Sequence, residues 1–179
     1  MLTCSSATRQ APFHAPQKIR CRDKYRAVEK AQPARALDFL RTVENDLASM
    51  EIISGLSGSD GLVVGEQHTA PSIGSGKVRV LATPVMINLI EAAALAAVEH
   101  LLPPGYQSLG TRLDVRHIAA TPVGMRVTAT AVVSKVDGRT IHFRVEARDE
   151  KELIGDGTHE RVVVNVAKFD QRVQRKLSG

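Results

Sequence analysis

Residues 83–102 read TPVMINLIEAAALAAVEHLL, and this stretch decides the fold. Thr83-Pro84 is a helix-start signal, because Thr can cap free backbone N–H groups and Pro suits the first helical position. Pro103-Pro104-Gly105 would end the helix. Between them the residues are apolar nearly all the way round, so we predict a helix from about Pro84 to Leu102 that other protein surrounds.

The chain after this helix alternates polar and apolar residues with period two, which is typical of antiparallel strands with one buried face. Gly110–His117 and Thr140–Arg148 both show this pattern. Turn signals lie at residues 136–139 (VDGR) and 149–151 (DEK). A last strand is marked by Val162, Val164 and Val166, and a short polar helix is expected over Lys168–Lys176.

Before the helix, short strands are expected at Leu62–His68 and Lys77–Leu81, with a turn at Gly74–Gly76. Gly55, Gly58 and Gly61, which alternate with Ser and Asp, are expected to form a flexible joint. The fold class predicted from these elements is α+β, with one long buried helix against four or more consecutive antiparallel strands.

The basic charge is concentrated in the N-terminal arm. Residues 1–49 hold 9 Lys and Arg against 5 Asp and Glu, whereas residues 50–179 hold 15 against 14. Aromatic residues are only 3% of the chain. A nucleic-acid partner is therefore not expected, since such proteins place basic and aromatic side chains on the folded face. No membrane-spanning segment is expected either, because no apolar stretch of about 18 residues is free of charge.

We expect two parts, a basic arm at 1–55 and a folded domain at 56–179. Residues 1–22 are basic and lack acidic residues, as in organellar transit peptides, but composition alone favours a disordered tail or an upstream extension, with Met50 as an alternative start. A short amphipathic helix is plausible over residues 34–48. Both cysteines, Cys4 and Cys21, lie in the arm, so the domain has no cysteine nucleophile and no cysteine-ligated metal. The expected location is cytoplasmic, or organellar if the arm targets the chain.

Three polar residues stand out in the domain. Glu91 lies in the most apolar stretch of the helix, where a charge is costly unless paired, and His117 lies on the apolar face of its strand. Thr83 stands at the helix start, where free N–H groups and the helix dipole favour a developing oxyanion. Ordinary structural roles would also explain each of them: a bonded carboxylate, a core histidine and a helix cap. Together they outline an acyl-transfer site.

Four separated motifs resemble the fluoroacetyl-CoA thioesterase-like family of hotdog-fold acyl-CoA thioesterases. The likeness covers roughly residues 62–176. The motifs are ATPVMINLIE (residues 82–91), SLGT (108–111), HIAATP (117–122) and GTHER (157–161).

The resemblance implies a hotdog fold, in which an antiparallel sheet wraps around a long central helix. It implies that Thr83, Glu91 and His117 are catalytic, and that Gly110 and Arg161 contact the substrate. It further implies an acyl-CoA thioester as substrate, no metal or other cofactor, and a homodimer or a dimer of dimers with the site near the interface.

The stretch before the helix departs from the fluoroacetyl-specific pattern. In place of an aromatic-rich lid it holds PSIGSG (residues 71–76), and Leu81 stands where an aromatic residue would precede Ala82-Thr83. A short- or medium-chain acyl-CoA is therefore the expected substrate. A hotdog enoyl-CoA hydratase or dehydratase and a non-catalytic acyl-CoA-binding module remain as alternatives.

Overall fold

A five-stranded antiparallel sheet and one long helix make up most of the computed structural model, which describes residues 51–177. The elements in chain order are β1 (Ser57–Val63), α1 (Ala70–Ile73), α2 (Thr83–Val98), β2 (Tyr106–His117), β3 (Arg126–Asp137), β4 (Thr140–Asp149), β5 (Leu153–Asn165) and α3 (Val166–Arg175). Two short 3-10 turns lie at Glu66–His68 and Glu99–Leu101. The predicted α+β class is confirmed. The predicted arm at 1–55 lies almost entirely outside the described residues, as does the helix at 34–48.

The strands follow the order β1-β3-β4-β5-β2, and every neighbouring pair is antiparallel. The strands after α2 were expected to pair in sequence. Only β3, β4 and β5 do so, because β2 crosses to pair with β5 and β1 pairs with β3. The two edges of the sheet are therefore β1 and β2.

Helix α2 supplies one side of the hydrophobic core, and the sheet supplies the other. Its buried residues are Met86, Leu89, Ile90, Ala93, Ala94, Ala97 and Val98. The inward face of β4 meets this core with Ile141, Phe143, Val145 and Ala147, as its alternation predicts. Thr83–Leu101 is long and apolar enough to cross a membrane by composition alone, yet here its apolar face packs on the sheet.

The prediction that protein surrounds α2 holds for only part of its circumference. The helix packs mainly on β1 and β3. On its other side Asn88 and Ala96 are exposed, and Ala92 and Leu95 are half-buried. Within residues 51–177, one apolar stripe of the helix is therefore left open.

The glycine-rich stretch is not a flexible joint, because it forms β1. A side chain at Gly58 would place its Cβ 2.4 Å from the Ala93 carbonyl oxygen and 2.4 Å from the Ala97 nitrogen. Glycine at this position lets the strand touch the backbone of α2, where alanines keep the helix surface flat. Close packing, and not flexibility, explains the glycine. Ile52 is already buried in the core before β1 begins.

The prediction of two short strands before α2 is wrong. Of Leu62–His68, only the first two residues belong to a strand, and the segment ends in a 3-10 turn. Of Lys77–Leu81, only Leu81 pairs, through one bridge to Thr69. The helix α1 accounts for this difference. Gly74 ends it in the left-handed conformation, with φ of 78°, and turns the chain back before a ladder can form.

The last strand is present, but its buried face differs from the pattern of valines that marked it. His159, Arg161 and Val163 face the core, whereas Val162 and Val164 are only partly buried and Val166 begins α3. A register shift beside Ala147 adds one residue to β5 opposite β4. One extra residue reverses which side chains point inward. The predicted tail helix is confirmed as α3.

The close approach of β1 to α2 is open to a stability test. Gly58→Ala is expected to lower the free energy of unfolding by about 1–3 kcal/mol, because the new Cβ would overlap helix backbone. The control is Gly76→Ala, whose Cβ would meet only the Ala70 side chain at 3.4 Å. The control should change stability by no more than about 0.5 kcal/mol. Urea unfolding measures both, and equal midpoints for the two variants would contradict the packing argument.

Candidate active site

Thr83 and His117 form a hydrogen-bonded pair at the start of α2. Thr83 Oγ1 lies 2.9 Å from His117 Nδ1. The predicted capping role of Thr83 is wrong, because Ala82 occupies the N-cap position and Thr83 is the first helical residue, with no side-chain cap. Its hydroxyl is therefore directed to the imidazole rather than to the helix backbone.

His117 is the last residue of β2, and its ring is held in a partly apolar setting. Burial lowers the pKa of His117 below its usual value, and a backbone interaction with Ala119 offsets this in part. The neutral imidazole that results can accept the Thr83 hydroxyl proton. Its Nε2 atom is buried and has no hydrogen-bond partner within residues 51–177.

An open cleft of about 320 Å³ exposes this pair to solvent. Its walls carry small aliphatic side chains and one hydroxyl besides that of Thr83. The remaining lining residues are Ala70, Ser75, Val80, Leu81, Ile118, Ala119 and Ala120. The positive end of the α2 dipole lies at the same place, so an anion formed in the cleft would be stabilised there.

Glu91 lies two turns further along α2 in a different environment. A Cβ built on Gly110 would stand 2.7 Å from Glu91 Oε1 and 3.1 Å from His159 Cε1. Glycine at this position of β2 therefore leaves the space that the carboxylate occupies. Arg161, next to His159 along the inward face of β5, interacts electrostatically with Glu91.

Arg161 is almost entirely enclosed, with 4% of its surface exposed. Its Nε and Nη2 donate to the Ser108 side chain and carbonyl, at 2.9 and 2.8 Å, and Nη1 donates to His159 Nε2 at 3.3 Å. These bonds use three of its five N–H groups. The substrate contact predicted for Arg161 stays a prediction.

His159 is fixed in one neutral tautomer. Because Nε2 accepts from Arg161, the proton must be on Nδ1, which donates to the Arg112 carbonyl oxygen at 2.8 Å. Burial, chiefly, and the Arg161 charge lower the pKa of His159, against opposing effects of that carbonyl, Glu91 and Glu160. The ring also stacks on Phe143 at a centroid distance of 6.0 Å.

The structure thus brings the five predicted site residues together in two groups. Thr83 and His117 form one, and Glu91, Gly110 and Arg161 form the other. Eight residues of helix separate Thr83 from Glu91, which corresponds to about 12 Å along the axis. Within one protomer, the carboxylate does not meet the imidazole of His117.

Sequence reasoning missed His159, Ser108 and Glu99 as members of this site. The cross-strand register would have revealed His159, because it pairs with Phe143, and Arg161 pairs with Ile141. Both partners lie on the apolar face of Thr140–Arg148, which the alternation predicts to be buried. Counting back from the turn after β4 without the extra residue, however, assigns His159 to the wrong face.

The sheet and central helix define the hotdog fold. A hot-dog-like protein from Thermanaerovibrio acidaminovorans superposes with a TM-score of 0.67 at 25% identity, over 75% of this chain and 97% of that one. A thioesterase superfamily member from Thermus thermophilus gives 0.67 at 31% identity, over 71% and 94%.

The model of the fluoroacetyl-CoA-specific thioesterase family matches residues 64–167, and the chain belongs to this family. It is 46% identical over 97 residues to the fluoroacetyl-CoA thioesterase of Streptantibioticus cattleyicolor, covering 54% of this chain and 70% of that protein. A solved structure of a fluoroacetyl-CoA thioesterase variant with acetyl-CoA superposes with a TM-score of 0.66 at 37% identity, over 70% and 98%. The expected family and the hotdog fold are both confirmed.

The buried His159 makes the stability of the protein depend on pH. The unfolded histidine binds a proton near pH 6.5, whereas the folded one resists it, so acid favours unfolding. The free energy of unfolding should therefore fall as the pH drops from 6.5 to 5, with a His159 contribution of at most about 1.4 kcal/mol per pH unit. Urea unfolding of the wild type and of His159→Gln measures this slope. An unchanged slope in the variant would show that His159 is not the group responsible.

Proposed function

We propose that this protein is an acyl-CoA thioesterase, which hydrolyses short- or medium-chain acyl-CoA to the free acid and CoA. The observation that carries the proposal is the Thr83–His117 hydrogen bond, located in an open cleft at the amino end of α2. The membership of the fluoroacetyl-CoA-specific thioesterase family and the likeness to a fluoroacetyl-CoA thioesterase support the same reaction.

The reaction begins at the thioester carbonyl. His117 takes a proton from the Thr83 hydroxyl or from a water that this hydroxyl holds, and the oxygen attacks the carbonyl carbon. The charge on the carbonyl oxygen is stabilised at the amino end of α2. Collapse breaks the carbon–sulfur bond, and the thiolate of CoA receives the proton from His117. If Thr83 itself attacks, a water that His117 deprotonates then hydrolyses the acyl-Thr83 ester, releasing the acid and returning the proton to Thr83; if water attacks the thioester directly, no covalent intermediate forms.

The cleft walls support a small acyl group without a requirement for fluorine. Ala70, Val80 and Ala119 present short aliphatic side chains, and among residues 51–177 no Phe, Tyr or Trp lines this cleft. The stretch that departs from the fluoroacetyl-specific pattern contributes Ser75 to this wall through the turn after α1. Selectivity is therefore expected to depend on chain length more than on halogen.

A homodimer would complete the site. The Nε2 atom of His117 is buried without a partner, and the Glu91 carboxylate accepts no hydrogen bond within residues 51–177. Among the described residues nothing covers the stripe of α2 or pairs with the outer edge of the 12-residue strand β2, and both offer surfaces for a second copy. A second protomer that covers the stripe brings its own Glu91 towards His117. In that arrangement the carboxylate orients the imidazole from the opposite side to Thr83.

Thiol release from a panel of acyl-CoAs tests the activity. Thr83→Ala and His117→Ala should each lower kcat about 100-fold or more, because both proton transfer and attack depend on this pair. Thr83→Ser should retain activity, since it keeps the hydroxyl. Thr128→Ala on the outer sheet face is the control and should leave kcat unchanged.

Two results would count against the assignment. If the His117→Ala and Glu91→Gln variants both released thiol at the wild-type rate, the assignment of these residues as catalytic would be wrong. Formation of a hydroxyacyl-CoA, or tight binding of acyl-CoA without thiol release, would instead indicate a hydratase or a binding module.

Mixed dimers test whether the two groups of residues meet across subunits. The Thr83→Ala and Glu91→Gln variants are mixed 1:1, unfolded, refolded together and assayed. If one site takes Thr83 from one protomer and Glu91 from its partner, half of the dimers regain one intact site. The mixture should then show about a quarter of the wild-type activity. If both residues act within one protomer, no site is intact and the mixture stays as inactive as its parents.

A further inference from the structure

A second acidic side chain is connected to the site through buried hydrogen bonds. Glu99 lies in the 3-10 turn that follows α2, and its carboxylate is half-buried. The Ser108 hydroxyl donates to Glu99 Oε2 at 2.6 Å, and the Ser108 backbone N–H reaches both carboxylate oxygens at 3.2 and 3.3 Å. Ser108 itself is only 3% exposed. These contacts anchor the start of β2 to the end of α2.

The direction of these bonds is fixed by the chemistry of the groups. A carboxylate can only accept, so the Ser108 proton is committed to Glu99. The free lone pairs of the Ser108 hydroxyl then accept from Arg161 Nε at 2.9 Å, while the Ser108 carbonyl accepts from Nη2 at 2.8 Å. Two donors on the Nε–Nη2 edge of the planar guanidinium are thereby held by one residue. The chain of bonds runs from Arg161 through Ser108 to Glu99.

The charges are arranged in the same order. Burial lowers the pKa of Arg161, and the charges of Glu91 and Glu99 counter that effect. A buried guanidinium is stable only where its charge and its donors are matched. The Arg161 guanidinium thus interacts electrostatically with two carboxylates, of which Glu91 belongs to the proposed catalytic set and Glu99 does not.

We propose that Glu99 and Ser108 are positioning residues for hydrolysis, which hold Arg161 in a fixed orientation beside Glu91. They do not reach the cleft and act only through Arg161. The effect on rate rests on the proposed thioesterase function, whereas the effect on the orientation of Arg161 does not. Each is therefore measured separately.

The kinetic experiment compares kcat and KM for acyl-CoA hydrolysis. Ser108→Ala and Glu99→Ala should each lower kcat about tenfold with little change in KM, because a misplaced guanidinium disturbs the reacting geometry. Ser108→Thr keeps the hydroxyl and Glu99→Gln keeps an acceptor oxygen, so each should restore most of the rate. The controls are Ser134→Ala and Glu146→Ala, which remove the same groups from exposed positions on the sheet. Both controls should behave as the wild type.

The Arg161→Lys background shows whether the two residues act through the guanidinium. Lysine keeps the charge but cannot form the planar two-donor contact with Ser108. In that background Ser108→Ala and Glu99→Ala should cause no further loss. Full tenfold losses there, or unchanged kcat in the single variants, would overturn the proposal.

Proton exchange at the Arg161 side chain gives a readout that needs no activity. In the wild type the Nε–H proton, bound to Ser108, should exchange slowly with solvent in a ¹⁵N-edited NMR spectrum. Its exchange should accelerate at least tenfold in Glu99→Ala. If it does not, the positioning role is wrong, even when hydrolysis is observed. If the wild type releases no thiol while this proton behaves as expected, the proposed function fails and the positioning of Arg161 stands. Circular dichroism checks that each variant is folded. If Ser108→Ala is not folded, the positioning role is tested with Glu99→Ala alone, because Glu99 is only half-buried.

Discussion

The burial of α2 is the constraint on which the rest of the molecule depends. A helix with so few polar positions has to be covered, and the sheet can cover only the side that faces it. β1 approaches closely because Gly58 presents no side chain, and the alanines of the helix leave its backbone accessible. The opposite side keeps an open stripe. Glu91 lies half-buried where the covered side of α2 meets this stripe. Its position follows from the incomplete coverage of the helix.

The polar residues inside the sheet are arranged so that each charge has a counterpart. Glu91 and Glu99 are on the helix side, and Arg161 lies between them on β5. Ser108 and His159 take up the donors of the guanidinium, and both stay uncharged. An isolated carboxylate in such a place would be costly, whereas here Ser108 donates hydrogen bonds to Glu99 and the charge of Arg161 interacts with Glu91. The cleft at Thr83 is different, because it is open and its imidazole lacks one partner within the described residues.

Much of the fold could be predicted from the sequence because its signals are local. The helix is marked by its apolar run between Thr83-Pro84 and Pro103-Pro104, and the β3–β4 hairpin by Gly138-Arg139, which joins Asp137 to Thr140 as expected. The catalytic candidates were found because a charge or an imidazole on an apolar face conflicts with simple packing. The motif resemblance then supplied Gly110 and Arg161, which periodicity does not single out.

The missed features depend on contacts between distant segments. A stretch rich in glycine and serine is typical of a linker, and only the proximity of α2 makes it a strand. Thr83 has the right residue type for a cap, but Ala82 takes that position and the hydroxyl turns to His117, 34 residues away. Likewise, the pairing of β2 with β5 instead of its chain neighbour brings Ser108 to Arg161. None of these contacts can be predicted from a short stretch of sequence.

The extra residue that β5 carries beside Ala147 sets a limit on how this chain can change. Substitutions along the strand alter one side chain at a time, but a single-residue deletion at that point would exchange the two faces of everything that follows. His159 and Arg161 would be turned out to solvent, and Glu160, Val162 and Val164 would be turned in. The presence of this extra residue in β5 is therefore what keeps His159 and Arg161 inside the sheet.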